Sequence, residues 1–427
     1  RVHRDRGLTV GLETDKTIVG VFKGESPAAL YLGDELVWSP TAVTYSGVGT
    51  TGGSQFQSGS YNVPVVAGDR VVTFIVTDRA SGDGYVEPTC GGVKMVPYAN
   101  VRIQGAFGVG MLSCYISGPQ ASSGNAAIAY TASGAQTNSA SMSYAEVQHA
   151  HPAVIAAGNG TALSQAVTVP ARQGFAQAFG VGANASFSAV SGGTNRYNSS
   201  GNASLIANDV PVDATLVATQ NSARDWAGVA LPLAPTIPNG PRYVNLARLA
   251  RTTIDSGLNF QVSCEDGDYV LLDVNIDRNT TVSAVTIDGV SPSTLAGPIN
   301  YNGVGSQATL IRFGRFVSGS GLKTLQFSKT GGGWVVARAT VIRGVSAVGA
   351  TTTASNNGSV PSHAVTVSAG ELAVHAFGAT SVGTPRGGSP VDSIATNSCL
   401  SLSLAASNTT FTDTGSKAWG SVITKFN

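Results

Sequence analysis

Apolar and polar positions in this chain repeat mainly with a period of two. Asp69 to Asp78 reads DRVVTFIVTD and Tyr269 to Asp277 reads YVLLDVNID, both β-branched runs with partial alternation. Such runs predict strands. Clusters of Gly, Asn, Ser and Pro break them up about every ten residues, the spacing of short strands joined by turns. Helical periodicity is scarce: RYVNLARLARTTI, Arg242 to Ile254, is the only candidate longer than two turns. The pattern predicts an all-β chain of antiparallel β-sandwiches, jelly-roll or immunoglobulin-like.

The pattern also repeats on a larger scale. GDRVVTFIVTDR from Gly68 aligns without gaps to GDYVLLDVNIDR from Gly267, an offset of 199 residues. AVTVPARQGFAQAFG from Ala166 aligns to AVTVSAGELAVHAFG from Ala364, an offset of 198. DWAGV (Asp225 to Val229) and AWGSV (Ala418 to Val422) each place a Trp three residues before a Val. Two independent matches at nearly one offset predict an A-B-A-B order. An N-terminal segment covers 1–40, A1 covers 41–150 and B1 covers 151–234. A Pro-rich linker at 235–242 leads to A2 over 243–345 and B2 over 346–427. Four sandwiches in line would make a long, thin chain with strand edges that need cover. Packing around a symmetry axis supplies that cover, so a homotrimer is expected.

At 427 residues the chain exceeds a single core. Charged residues make up 11% and the formal net charge is +1, which argues against a nucleic-acid partner. A hydrophobic share of 42% argues against disorder. The 53 glycines follow no G-X-Y period, so collagen is excluded. Cys90, Cys114, Cys264 and Cys399 form no C-x-x-C, and they read as buried free thiols of a reducing compartment. No apolar run reaches the length of about 18 residues that a membrane span needs. RVHRDRGLTV, at the start of the sequence, lacks the apolar stretch of a secretory signal.

Searches for chemistry return little, and neither catalysis nor a cofactor is expected. GVGTTG (Gly47 to Gly52) leads into residues that cannot open a helix, so it reads as a glycine loop. SGLK (Ser320 to Lys323) lacks the companion elements of a serine acyl-enzyme. DVNIDRN (Asp273 to Asn279) lacks the sixth-position Gly and twelfth-position Glu of a calcium loop. Alternation puts Asp273, Asn275 and Asp277 on one strand face, read as solvated. Glu265, Asp266 and Asp268 cluster in a turn and are the candidate for a weak metal site. His149 and His151 fall at a module boundary and read as linker; His375, beside Phe377, reads as half-buried. Shared Asp and Arg residues at the ends of the A repeat read as a turn Asp and an edge cation. Tyr85, Tyr98, Trp226, Trp334 and Trp419 are possible sugar platforms. The repeated position of Trp226 and Trp419 favours a core role for both, which leaves Tyr85, in a loop, as the better ligand contact.

One stretch stands outside the repeat. ALYLGDELVWSP, Ala29 to Pro40, reads as two short strands around a Gly33-Asp34 turn. It resembles the front of minor tail proteins of phages that infect actinobacteria, with Gly33, Asp34, Val37, Trp38 and Pro40 carrying the match. CGGVKMVP (Cys90 to Pro97) is similar to the G-G-V-x-M turn of their sandwich modules; the second A repeat reads IDGVSPST there and lacks the Met. The resemblance implies a structural and adhesive protein of the virion, at the tail tip or in a tail fibre. It would be assembled in the host cytoplasm and be extracellular after lysis, with other tail or baseplate proteins and the host envelope as partners. Tyr31, Leu32, Leu36, Val37 and Trp38 form an apolar set too small for a core of its own, so the hairpin is expected to dock on partner subunits. A secreted bacterial carbohydrate-binding protein or adhesin is the alternative; an envelope hydrolase ranks below both.

Overall fold

A computed structural model describes residues 42–427 except 54, 79–85, 106–107, 169–172, 189, 255, 279–280, 303–307, 332, 382–384 and 395–398. Ahead of these it describes the backbone of three strands, at 18–23, 26–32 and 35–38. All regular structure among the described residues is antiparallel strand, and no helix is long and apolar enough to cross a membrane. The helix candidate is a correction: Arg242–Thr252 is a strand paired with Val335–Arg343. Its register slips between Tyr243 and Asn245 and again between Leu249 and Thr252. Each bulge shifts the phase of a period-two pattern, and two shifts make the apolar spacing look helical.

After the N-terminal strands, four successive stretches of chain pair their strands only among themselves. The third is the clearest. Its five-stranded sheet runs Arg242–Thr252, Val335–Arg343, Tyr269–Ile276, Ala308–Phe316, Ser293–Tyr301. The facing sheet runs Leu258–Cys264, Gly321–Lys329, Val282–Ile287. First and second strands thus lie in opposite sheets and the last strand lies beside the first. This is the order of a jelly roll whose fifth strand has moved to the edge of the larger sheet; immunoglobulin order pairs the first two strands instead.

The other three stretches repeat this order. In the first, Thr44–Thr50, the end of Gly124–Ala145, Arg70–Thr77, Gly108–Ile116 and Val96–Gly105 make the larger sheet. Arg70–Thr77 and Tyr269–Ile276, the strands of the 199-residue repeat, both occupy its centre. In the fourth, Val348–Ser359, Lys417–Phe426, Leu372–Ala379, Cys399–Ala405 and Ser389–Ile394 follow the same order. Ser362–Val365 and Thr409–Thr412 face them. The second stretch matches the fourth, except that two long strands, Val154–Val167 and Ala214–Ala234, each serve where the fourth has two. His149–Ala150 pairs with Leu233 and Ala234, so it belongs to the second sheet system and not to A1, and Arg242 opens the third instead of closing a linker.

The sandwiches are not strung in line. Within each half, the five-stranded sheet of A packs face to face on that of B. Val72, Phe74 and Val76 meet Ala176, Ala178 and Val229 in one apolar cluster, whereas Val71 and Ile75 point the other way into the A1 core. Central strands are therefore covered on both sides, which explains why Arg70–Thr77 and Tyr269–Ile276 alternate so weakly. Close approach needs glycine: a Cβ at Gly180 would collide with Leu112 and Val76 across the seam, and one at the matching Gly378 with Asn275. The halves also touch. Tyr98 donates to the Tyr243 carbonyl at 3.4 Å and Tyr243 to the Pro97 carbonyl at 2.9 Å, with ring centroids 5.3 Å apart. Ser389 donates to the Ala153 carbonyl.

Candidate functional site

The N-terminal element is a three-stranded meander, Ile18–Lys23, Ser26–Leu32 and Glu35–Trp38, which forms a sheet of its own. Tyr31 lies on the second strand and Val37 and Trp38 on the third. Leu30 pairs with Trp38 and Tyr31 with Leu36, so Val37 is the extra residue of a bulge. The first strand adds a row that the hairpin motif did not indicate, with Val19 opposite Tyr31 and Gly20 opposite Leu30. Gly33, Asp34 and Pro40 lie outside the described residues, as does Tyr85.

The acids at the ends of the A repeat are structural. The Asp69 carboxylate accepts the Val66 N–H at 2.9 Å, and Asp268 accepts the Glu265 N–H at 2.7 Å, each closing a turn around a glycine of positive φ, Gly68 and Gly267. At the far end Asp78 accepts the Gln136 N–H and Asp277 the Trp334 N–H, at 2.7 and 2.6 Å. Both pin the last strand of a sandwich to its central one. The candidate metal cluster is taken up in the same way. Asp268 receives Arg343 Nε and Nη2 at 2.8 and 3.0 Å, Glu265 pairs with Arg343 at 2.6 Å, and Asp266 accepts the Gly319 N–H. Among the described residues no three His, Cys, Asp or Glu side chains group as a metal site. The four cysteines are buried, and none is in a disulfide among the described residues.

Trp226 and Trp419 are core residues, each edge-on to a Phe at 5.7 Å, Phe179 and Phe377. Their sandwiches also carry matching polar interiors. In the fourth stretch, Ser421 Oγ sits 2.7 Å from His363 Nδ1 and 2.9 Å from His375 Nε2. The His375 reading needs correction: it is fully buried, stacked on Phe411 at 4.2 Å. Burial pushes its pKa well below the usual histidine range, and the charges of His363, Arg312 and Arg338 add to this. A serine between two imidazoles suggests nucleophile chemistry, but the second stretch has Gln165 and Gln177 in the same places, 2.9 Å apart. A polar pair linking the two sheets is thus what both sandwiches share, and glutamine performs no such chemistry. His149 is likewise buried in a strand instead of a linker, with the His151 ring 4.8 Å away, and burial lowers both pKa values.

The densest polar constellation lies where the sequence suggested water. Asp273 and Asn275 are fully buried in the seam between the third and fourth stretches. Arg248, Arg338, Asp273 and Arg312 stand abreast on four adjacent strands. Arg312 grips both Asp273 oxygens, at 2.6 and 3.0 Å, and its Nη1 donates to the Val374 carbonyl at 2.7 Å across the seam. Arg248 donates to Asp392 at 3.0 Å, and Arg338 lies 3.4 Å from the same carboxylate. Asn275 donates to the Cys399 carbonyl and accepts from Tyr301. The sequence did carry a signal for this seam. Asp273 and Asn275 align with Phe74 and Val76, and a polar residue opposite an apolar one in a repeated central strand marks a changed neighbour.

Comparison with known proteins adds no relative: no family model, no curated protein and no solved structure matches the chain.

Proposed function

We propose that this chain is a structural and adhesive protein of a phage tail, held in the particle by its N-terminal sheet. One observation carries the reading: the element that bears the Gly-Asp hairpin is a separate sheet ahead of a body whose four parts repeat one strand order. A segment present once is not required by the repeat, and three short strands make a poor core alone. Docking on another tail subunit would bury it. Behind it, sheets covered on both faces give a stiff body to hold toward the host envelope. Self-association as a trimer belongs to the same reading.

The test is Trp38→Ala in the phage, with mass spectrometry of purified particles and light scattering of the purified protein. Truncating a buried aromatic anchor typically costs about 2–4 kcal/mol at an interface. The expected result is a soluble, folded, trimeric protein largely missing from particles. Incorporation at the normal level removes the attachment role, and a monomer at micromolar concentration removes the trimer.

A further inference from the structure

The junction between the two halves gathers basic groups. The first half contributes Arg70, His149 and His151, and the second contributes Arg242. His149 is buried with the His151 ring 4.8 Å away, and the charges of both Arg70 and Arg242 act on it. Arg70 Nε and Nη1 donate to the Val147 and Ser117 carbonyls at 3.0 and 3.3 Å, partners that carry no charge. Arg242 faces Arg343, which in turn holds Asp268 and Glu265. Asp69, next to Arg70, accepts the Val66 N–H, and Glu146, three residues before His149, is exposed. Tyr98, which donates to Tyr243 across the junction, lies close to both Arg70 and Arg242. Farther along, Arg102 of the first half faces Asp413 of the second, which Lys417 holds at 2.9 Å.

We propose that this junction is an acid-sensitive clasp: protons on His149 and His151 set new positive charge against Arg70 and Arg242, and the second half swings away from the first. Separation removes Arg242 from His149 and lets water reach both imidazoles, so the open form accepts protons that the closed form resists. Burial and the neighbouring charges hold His149 well below the usual histidine range, and burial lowers His151. The closed form is therefore fully favoured above about pH 6.5 and loses ground as the pH falls below it. Residues 235–241 keep the opened halves joined. The second half carries no such group at the matching place. Ala234 and Asn427 each lie eight residues after their Trp; His149 pairs with the first, and the exposed Ala347 exchanges backbone bonds with the second.

Amide hydrogen exchange of the full chain reads the opening. Val96–Gly105 and Ser389–Ile394 are edge strands that lie against each other across the junction. Between pH 7.5 and pH 5.0, after correction for intrinsic rates, their protection should fall by up to about 30-fold for the proton that His149 takes up. Arg70–Thr77 and Gly174–Val181, central strands of the first half, should change less. His149→Gln with His151→Gln should leave junction protection nearly level across the same range, with Arg102 and Asp413 still in place. If that variant does not fold, Arg242→Gln serves: one cation fewer faces His149, and the fall should shrink. Junction protection that does not change with pH overturns the proposal. So does an equal fall in the central strands, or the same fall in the variant as in the wild type.

Discussion

In the first A–B pair, Phe74, Cys114 and Ala140 stand abreast at the centre of the seam; in the second, the same three places hold Asp273, Arg312 and Arg338. Strand order is shared, the sheets pack through the same faces, and even the close-contact glycines, Gly180 and Gly378, correspond. Only the chemistry differs. The apolar seam gains from area removed from water, about 1.5–3 kcal/mol for each large side chain fully buried. In the ionic seam the two-point Arg312–Asp273 contact offsets its desolvation with good geometry, and such buried pairs often add little net stability. What they add is selectivity. A chain that carries four copies of one plan can pair them wrongly. A1 set against B2 would leave Asp392 buried without a cation, and A2 set against B1 would press guanidinium groups onto Ala176, Ala178 and Val229. We read the charges as the device that excludes both exchanges.

The largest expected effect comes from breaking the ionic row at its centre. Asp273→Ala leaves Arg312 buried and unpaired, and should cost about 3–5 kcal/mol, read from urea unfolding. A loss below about 1 kcal/mol would mean that the row is not a locked pair. Rewriting the second seam as the first, with Asp273→Phe, Arg312→Cys and Arg338→Ala, should instead be neutral or stabilising by up to about 4 kcal/mol. Refolding should then suffer: a lower native yield and more exchanged dimers than wild type, counted by size-exclusion chromatography. An unchanged yield would remove selectivity as the reason for the charges.

Much of the plan was legible in the chain, because strand period, turn glycines and two ungapped repeats are local signals. Asp69 and Asp268 could be read as turn residues because an acid after Gly acts on the backbone three residues back. The face-to-face packing was not legible. Period two assigns a strand two faces and does not say that the polar one, Asp273 and Asn275, meets another sheet instead of water. His375 failed for the same reason, since its burial comes from Phe411 and Ser421, some 36 and 46 residues away. In the N-terminal element, the Gly-Asp turn signalled two strands; Ile18–Lys23 carries no turn signal and went unseen.

The smallest expected effect separates the two B sandwiches by pH. Gln165 and Gln177 do not titrate, whereas His363 and His375, in the same places, do. In the unfolded chain both imidazoles protonate near their ordinary pKa of about 6.5. In the folded chain burial holds His375 well below that value and His363 below it. Above about pH 6.5 both states are neutral, and this source of stability is fully present. As the pH falls below 6.5, the unfolded state takes up protons that the folded state refuses, so stability is lost toward the depressed folded values. At pH 5 the loss should reach about 1–2 kcal/mol for the fully buried His375, and less for His363, which water partly reaches. His149 acts in the same direction, so the comparison must be made within one background. His363→Gln with His375→Gln copies the other B sandwich and leaves His149 in place. Between pH 7.5 and pH 5.0 this variant should lose less Tm than the wild type. Equal losses would show that the buried imidazoles are not what acid attacks.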